Sequence, residues 1–336
     1  MKKINFEMWN KAITVMPKIT KEEWDELDII SKWLISTRFA AIIMTVTSVG
    51  IVGLLAGRDG YFNLWLFLLV LIGLVMAHAT NNLLNDYTDY VRGIDKDNYF
   101  REQYGPHPLG RGFVTKKGLL TSAAINGLIA MAAGLALVFL RGGLVLPLML
   151  AGVIFVLFYT FPLKYIALGE IVMLFTWGPL MVGGGYYALS GIWDWNVALA
   201  GLAYSLAVTA TLFGKHTDKI AEDKKKGVRT MPVVLGERLA RAVGLAMFVM
   251  EYFVVVYLVA TGYFTVFPLL VFLALPMFIK VLWPMWRNPR PQEPPPNYPP
   301  GAWPLWFVAT GFVYARRWGI LFLLGLILDM AYRLIF

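Results

Sequence analysis

Long uninterrupted apolar segments are the feature that most constrains this chain. Reading along the sequence gives nine runs of about 20 residues, and a helix of that length crosses about 30 Å of hydrocarbon. Hydrophobic residues make up 58% of the chain, above the roughly 45–50% typical of soluble domains. The predicted spans are residues 34–57, 62–84, 117–139, 144–161, 169–190, 195–213, 239–261, 263–283 and 318–336. We therefore predict an all-α, polytopic membrane protein with about nine transmembrane helices.

The distribution of Lys and Arg predicts the orientation of these helices. With nine spans and a cytoplasmic N-terminus, every Lys and Arg except Arg58, Arg141 and Arg333 falls on the cytoplasmic side or at its edge. The net charge of +9 therefore reflects this orientation and attraction to anionic lipid. We predict an integral protein of the inner or plasma membrane, with its active site and its N-terminus on the cytoplasmic side. No nucleic-acid-binding motif accompanies the basic charge, and the absence of Cys excludes disulfides and thiolate metal sites.

The first 33 residues differ in composition from the rest of the chain. Charges interrupt residues 1–33 throughout, and no apolar core of a signal peptide is present. We predict an interfacial cytoplasmic segment in which Trp9, Trp24 and Trp33 act as membrane anchors. Residues 20–23 have the spacing of a helix-capping box, with Thr at the first position and Glu at the last.

Residues 34–336 form the predicted transmembrane domain. A Pro-dense stretch at about 286–304 cannot be helical and is expected to be a stiff cytoplasmic connector to the last helix. The second and sixth spans each end in an acidic patch on the same side of the membrane, four helices apart. This weak repeat predicts two four-helix units plus one further helix.

The first acidic patch follows the second apolar run without a break. On a continuing helix its polar side chains share one face, which must meet protein or water rather than lipid. These side chains are His78, Asn82, Asn85, Asp86 and Asp89, with Asp95 following the point where the helix can end. Carboxylates held this close repel one another, and a set of Asn and Asp oxygens suits Mg²⁺ rather than Zn²⁺. The alternatives are a solvated helix end and, for His78, a hydrogen bond to a neighbouring helix.

The second acidic patch follows the sixth apolar run. Thr211, Lys215, Asp218 and Glu222 recur at the spacing of one helix face, with Asp223 on its flank. By itself, a charged stretch of this kind is usually a solvated loop. Two acidic clusters rimmed by Lys and Arg are what a bound diphosphate requires, because Mg²⁺ bridges carboxylates to phosphate oxygens and cations neutralise the remaining charge. A substrate with a diphosphate head and an apolar tail would explain a site at the membrane boundary.

At these residues the chain resembles the UbiA superfamily of intramembrane aromatic prenyltransferases, whose members have nine helices and Asp-rich motifs after helices two and six. The motif Asn-Asp-x-x-Asp with a third Asp matches Asn85, Asp86, Asp89 and Asp95. The stretch FYTFPLKYIALGEIVMLFTWGPLMVGGGYY, residues 158–187, is a further matching block. Both are most similar to the branch that prenylates 1,4-dihydroxy-2-naphthoate in menaquinone synthesis.

The second family motif matches less completely. Asp223 and Gly227 fit the family spacing, but Lys219 stands where the family has its first Asp, and Asp218 lies one residue earlier. His107 also stands where relatives often have Arg.

The resemblance implies Mg²⁺-dependent transfer of an isoprenyl chain from its diphosphate to an aromatic acceptor such as 1,4-dihydroxy-2-naphthoate. The implied metal ligands are Asn85, Asp86, Asp89, Asp95, Asp218 and Asp223. The implied catalytic residues are Asp89, Asp95, Asp223, Lys164 and Tyr159, the last stabilising an allylic cation with its ring face. The implied substrate-binding residues are Lys215, Arg101, Arg111, Asn82 and Arg38. We expect Asp89 and Asp95 to face the same cavity as Asp223.

Two other functions use the same features. A terpene cyclase of the same superfamily needs the same acidic patches, but the cation is attacked by double bonds of its own chain. A cation-coupled transporter predicts helices broken near the membrane midplane and acids deep in several spans. The acids here cluster at one membrane boundary, which favours the enzyme.

Overall fold

The computed structural model describes residues 3–95, 100, 105–299 and 301–336. Regular structure within these residues is helical throughout. The helices are α1 (Phe6–Thr14), α2 (Lys21–Glu26), α3 (Ile29–Ser36), α4 (Phe39–Arg58), α5 (Leu64–Val91), α6 (Lys116–Arg141), α7 (Val145–Phe158), α8 (residues 169–190), α9 (Trp195–Asp218), α10 (Ile220–Lys225), α11 (Met231–Leu235), α12 (Glu237–Ala260), α13 (Phe267–Arg287) and α14 (Phe307–Ile335). A 3₁₀ turn at Leu163–Ile166 joins α7 to α8.

Seven of the described helices are long and apolar enough to cross a membrane, judged by length and composition. They are α4, α5, α6, α9, α12, α13 and α14. The all-helical, polytopic prediction is confirmed, but the count of nine spans is not. Helix α7 has 14 residues and is only about 21 Å long, shorter than the hydrocarbon core. The duplicated four-helix arrangement stays a prediction.

Helix α8 differs from a regular span because it consists of three segments. An α-helical segment, Gly169–Phe175, is followed by a π-helical segment, Thr176–Gly183, and a second α-helical segment, Gly184–Ser190. Pro179 lies inside the π-helical segment and cannot donate a backbone hydrogen bond there. This interruption explains why the predicted span at residues 169–190 is not one continuous α-helix.

Helix α9 is the core of the bundle and packs against α12, α14 and the π-helical segment of α8. Glycines allow the closest approach to α8. A Cβ atom on Gly178 would lie 3.0 Å from the Cα of Leu202, and one on Gly201 would lie 2.6 Å from the Cβ of Val182. The two backbones can therefore meet only because these positions lack side chains. This contact brings the chain around α8 against the polar end of α9.

The N-terminal segment packs on the protein rather than standing apart from it. The capping box at residues 20–23 is present, as predicted. The ring of Trp24 is buried and stacks on Phe113 with 4.9 Å between centroids, and Trp33 Nε1 donates to Asn126 Oδ1 at 3.0 Å. Trp24 is therefore packed inside the fold, whereas the role of Trp9 and Trp33 as membrane anchors stays a prediction.

Candidate functional site

A polar cavity of about 160 Å³ lies where the polar end of α5 meets the end of α9. It brings together residues from five parts of the chain that are distant in sequence. Its polar lining comprises Arg38 from the α3–α4 junction, His78, Asn81, Asn82, Asn85 and Asp89 from α5, Asp95, Tyr159 and Lys164 from the α7–α8 connection, Thr211, Lys215 and His216 from α9, and Lys219. The structure therefore joins most of the predicted substrate-binding and catalytic residues in one place.

Helix α5 supplies the acidic wall of this cavity. The helix continues through the polar patch to Val91, as the sequence predicted. His78, Asn82, Asp86 and Asp89 are buried, although they end a span whose other residues face lipid or partner helices. One helix face thus places its carboxylates and carboxamides against the protein interior, where they need partners.

Lys164 is the principal partner of Asp89. Its Nζ lies 2.9 Å from Asp89 Oδ1 and 2.8 Å from Asp89 Oδ2, and both side chains are buried. Burial by itself lowers the pKa of Lys164, but the attraction of Asp89, with smaller contributions from Asp223 and Asp95, raises it above its ordinary value. The ammonium group is therefore charged, and acids of both patches act on it.

Arg38 provides a second cation at this wall. Its Nη2 atom donates to Asn82 Oδ1 at 3.3 Å and to Asn85 Oδ1 at 3.2 Å, and it pairs with Asp86 Oδ1 at 3.3 Å. The backbone of Arg38 has a φ of 56°, which is strained for a residue with a side chain. Strain of this kind at a cavity wall is typical of functional sites.

Asp95 and the loop that precedes it are held by two contacts. Asp95 Oδ2 lies 3.0 Å from His107 Nε2, in a pair that is almost fully buried. Lys226, which follows the second acidic patch, donates to the carbonyl oxygens of Gly93 and Ile94. Lys226 therefore ties the loop of the first acidic patch directly to that of the second.

The second acidic patch does not form the single helix face that the sequence predicted. Helix α9 ends at Asp218, the backbone of Lys219 leaves the helical conformation, and α10 begins at Ile220. The break turns Asp223 inward, where its Oδ1 pairs with Lys219 Nζ at 2.9 Å. Asp223 Oδ2 is buried and accepts no hydrogen bond from the described residues. The structure places Asp89 and Asp95, but not Asp223, in the lining of the polar cavity. Asp223 adjoins that cavity through its ion pair with Lys219, which lines it.

The carboxylate of Asp218 binds the start of α14 rather than lining the polar cavity. Its carboxylate accepts backbone N–H groups at 3.1 Å from Trp306, 3.1 Å from Phe307 and 3.0 Å from Val308, at the start of α14. Three hydrogen bonds of this kind make Asp218 a cap of the helix N-terminus. The structure thus separates Asp218 from the polar cavity that Asn85, Asp89 and Asp95 line.

A second, larger cavity of about 560 Å³ adjoins the polar one. Apolar side chains from α5, α6, α7 and α8 line most of it. The two cavities share part of their walls, namely His78, Asn81, Tyr159, Met173 and Trp177. Along α5 the apolar lining runs from Leu69 to Asn81, a rise of about 18 Å. The site therefore has a charged chamber at one end and a long apolar chamber at the other.

A family model bears on this arrangement. The model of the UbiA prenyltransferase family matches residues 46–308, well over half of the sequence. The chain belongs to this family. Together with its apolar helices, membership makes this UbiA-family protein an integral membrane protein.

Individual relatives are more distant. The chain is 28% identical over 175 residues to a UbiA prenyltransferase domain-containing protein 1 homolog of Drosophila melanogaster, covering 52% of this chain and 49% of that protein. It is 28% identical over 219 residues to the 1,4-dihydroxy-2-naphthoate octaprenyltransferase of Escherichia coli K12, covering 62% of this chain and 70% of that protein. The matches thus span about half of the first relative and rather more of the second.

A solved structure supports the fold. A digeranylgeranylglyceryl phosphate synthase structure superposes with a TM-score of 0.56 at 17% identity, covering 90% of this chain and 99% of that one. At this identity the similarity shows the fold alone.

The remaining predicted cations of this UbiA-family protein are placed differently. Lys215 lines the polar cavity. Arg111 is exposed and lies outside its lining. Arg101 lies outside the described residues, so the structure does not place it.

One buried pair was not predicted. His216 Nδ1 lies 2.5 Å from Glu170 Oε1, and the backbone N–H of Met231 donates to the other Glu170 oxygen at 3.3 Å. His216 lines the polar cavity, so Glu170 orients a residue of the site from behind. Glu170 lies in the segment that resembles the family, residues 158–187. Its contact with His216, 46 positions away, could not be predicted from local sequence patterns.

The oxygen-rich lining suits a divalent cation held partly by substrate. Among the described residues, no group of three or more His, Asp or Glu side chains is close enough to hold a metal ion by itself. Mg²⁺ is usually held by one or two carboxylates together with phosphate oxygens, rather than by a closed protein cage. No described residue donates a hydrogen bond to the buried Oδ2 of Asp223, and such an oxygen suits an ion shared with the substrate.

Proposed function

We propose that this protein transfers an isoprenyl chain from its diphosphate to an aromatic acceptor in the presence of Mg²⁺. The observation that carries the proposal is the pair of adjoining cavities, one charged and one apolar, with a common wall. Such a pair matches a molecule with a diphosphate head and a long hydrocarbon tail. Family membership and the Asp-rich motifs support the same reaction.

The residues of the polar cavity would bind the diphosphate by charge. Lys164, Lys215, Lys219 and Arg38 surround the chamber, and ammonium and guanidinium groups form strong hydrogen bonds with phosphate oxygens. When bound, Mg²⁺ held by Asn85, Asp89, Asp95 and Asp223 would neutralise charge on the leaving diphosphate. Lys164 and Lys219, which now neutralise Asp89 and Asp223, would then be available to the phosphate.

The apolar chamber would hold the tail and exclude water from the reaction. The C–O bond breaks, its electron pair leaves with the diphosphate, and an electron-rich ring carbon of the acceptor bonds to the allylic carbon. The ring then loses a proton and regains aromaticity. A dry cavity prevents water from taking the place of the ring.

For the acceptor we propose 1,4-dihydroxy-2-naphthoate or a related precursor of a lipid quinone. The similarity to the Escherichia coli octaprenyltransferase supports this class. The excess of cations in the polar cavity also suits an acceptor with an acid group. The distribution of Lys and Arg supports a site that faces the cytoplasm, with the N-terminus on the same side.

The test is an assay of the purified, detergent-solubilised protein with a prenyl diphosphate and a panel of aromatic acids, with Mg²⁺ or with EDTA. Asp89→Asn and Asp223→Asn are expected to lose transfer while remaining folded. Asp25→Asn, at an exposed ion pair with Lys21, is the matched control and is expected to keep full activity. Transfer that persists in EDTA or in either cavity variant would contradict the proposal. A cyclised hydrocarbon formed without acceptor would identify a cyclase instead.

A further inference from the structure

Three buried side chains form a hydrogen-bonded group where the two cavities meet. Thr45 Oγ1 lies 2.8 Å from His78 Nδ1, and Trp177 Nε1 donates to the same Thr45 oxygen at 3.3 Å. The rings of His78 and Trp177 are edge to face, with 5.9 Å between centroids. Both rings belong to the wall that the polar and apolar cavities share, whereas Thr45 has no exposed surface.

The hydrogen bonds determine which nitrogen of His78 carries a proton. The indole N–H of Trp177 can only donate, so Thr45 Oγ1 accepts it. Among the described residues, His78 Nδ1 is the one acceptor within hydrogen-bonding distance of Thr45 Oγ1, so the hydroxyl directs its single proton to that nitrogen. His78 Nδ1 is therefore an acceptor, and the proton of the neutral imidazole lies on Nε2. Thr45 thus fixes the tautomer of His78 and the orientation of Trp177 together.

The backbone of α8 contributes to the placement of Trp177. Trp177 lies in the π-helical segment, and π-helical turns often occur at functional sites. The hydroxyl of Ser48 donates to the Trp177 carbonyl at 3.2 Å. Two residues of α4, Thr45 and Ser48, therefore hold the side chain and the backbone of Trp177.

We propose that Trp177 and the neutral His78 flank the allylic cation, and that Thr45 is the positioning residue that sets both rings. The inference rests on the proposed function. With the diphosphate in the polar cavity and the tail in the apolar one, the carbon that carries the breaking C–O bond lies at the shared wall. As that bond breaks, the electron pair leaves with the diphosphate and positive charge appears on the chain. The indole face attracts this charge, and a neutral imidazole adds no repulsion.

Substitutions at Thr45 separate positioning from packing. Thr45→Val removes the hydroxyl and keeps the shape, whereas Thr45→Ser keeps the hydroxyl. We expect Thr45→Val to lower kcat by about tenfold with an unchanged KM for the prenyl diphosphate, and Thr45→Ser to retain the wild-type kcat. Equal kcat in Thr45→Val and the wild type would overturn the positioning role, as would an equal loss in both variants.

Substitutions at Trp177 test the ring itself. Trp177→Phe keeps an aromatic face and is expected to lower kcat by about threefold, whereas Trp177→Leu is expected to lower it by about thirtyfold. The direct readout is exchange of an ¹⁸O label between bridging and non-bridging positions of the diphosphate without acceptor, because it reports C–O cleavage alone. Exchange should slow in the order wild type, Trp177→Phe, Trp177→Leu.

Different results would refute the proposed prenyl transfer and the proposed role of Thr45, His78 and Trp177. A wild-type protein that neither transfers the chain nor exchanges the label would refute the proposed function. A wild-type protein that does both, with unchanged exchange in Trp177→Leu and Thr45→Val, would refute only the role of these rings. Melting temperatures of the variants in the same detergent identify any loss that comes from unfolding.

Discussion

The ammonium nitrogen of Lys164 lies within 3 Å of both carboxylate oxygens of Asp89, across 75 residues of sequence. Removing one partner of a buried pair leaves an uncompensated charge and typically costs about 3–5 kcal/mol. We expect Lys164→Met to lower the melting temperature in detergent, and Lys164→Met/Asp89→Asn to recover part of the loss. Strictly additive effects in this double-mutant cycle would show that the pair contributes nothing.

The tether from Lys226 to the loop of the first acidic patch predicts a defect in substrate binding. Lys226→Met removes the donor to the Gly93 and Ile94 carbonyls and frees the loop that carries Asp95. We expect the KM for the prenyl diphosphate to rise by about tenfold, since the two patches no longer hold a fixed spacing. The neighbouring Lys225 is exposed, and Lys225→Met is the control that should leave KM unchanged.

Asp218 and Asp223 should respond oppositely to the same substitution. Asp218→Ala removes the cap of α14 and is expected to destabilise the protein by about 1–2 kcal/mol, with activity retained below the new melting temperature. Asp223→Ala should abolish transfer, because its buried carboxylate holds Lys219 at the wall of the polar cavity and is a proposed Mg²⁺ ligand. Measuring activity and thermal unfolding on both variants tests this contrast. An Asp218→Ala variant that loses activity without being destabilised would contradict the capping role of Asp218.

Asp28 makes the N-terminal segment sensitive to acid. Burial raises the pKa of Asp28, but hydrogen bonds from Ser31, Trp9 and Asn5 outweigh it and lower the pKa to about 2. Because the folded pKa lies below the unfolded value, the stabilisation is complete above about pH 4 and is lost as the pH falls toward 2.

Hydrogen exchange of peptides from residues 3–36 checks this expectation between pH 5 and pH 2. The wild-type segment should lose protection across that window, and Asp28→Asn should show low protection throughout. Comparing the two proteins at each pH removes the intrinsic pH dependence of exchange. Equal protection in both proteins at pH 5 would contradict the role of Asp28.

Gly152 predicts how the apolar chamber selects the length of the tail. It lines that chamber, and a Cβ atom at this position would meet nothing within 4 Å. Gly152→Phe should therefore add bulk to the chamber from a position where the Cβ atom itself has room, and shift the preference toward shorter prenyl diphosphates. Leu150→Phe, on the exposed surface of the same helix, is the control. Mass spectrometry of products from a mixture of chain lengths measures the shift, and an unchanged distribution would exclude this chamber as the tail site.

The first acidic patch shows what local pattern can predict. The polar residues of α5 recur with helical spacing directly after an apolar run. Both the helix and its polar face can therefore be predicted from the helical periodicity of the sequence. The same period fails at the second patch, because the helix breaks at Lys219. That break involves one residue, yet after it Asp223 is buried against Lys219 while Asp218 caps α14.

By itself, the sequence determined that this chain is helical, crosses a membrane and carries two acidic patches at one end of its helices, because those features depend on composition and short-range period. Only the tertiary structure decided which side chains form the site. The pairing of Lys164 with Asp89, and the hydrogen bonds of Thr45 with His78 and Trp177, depend on how the helices pack. Close packing at Gly178 and Gly201 lets α8 and α9 approach each other, and Glu170 of α8 pairs with His216 of α9 although the two residues lie 46 positions apart.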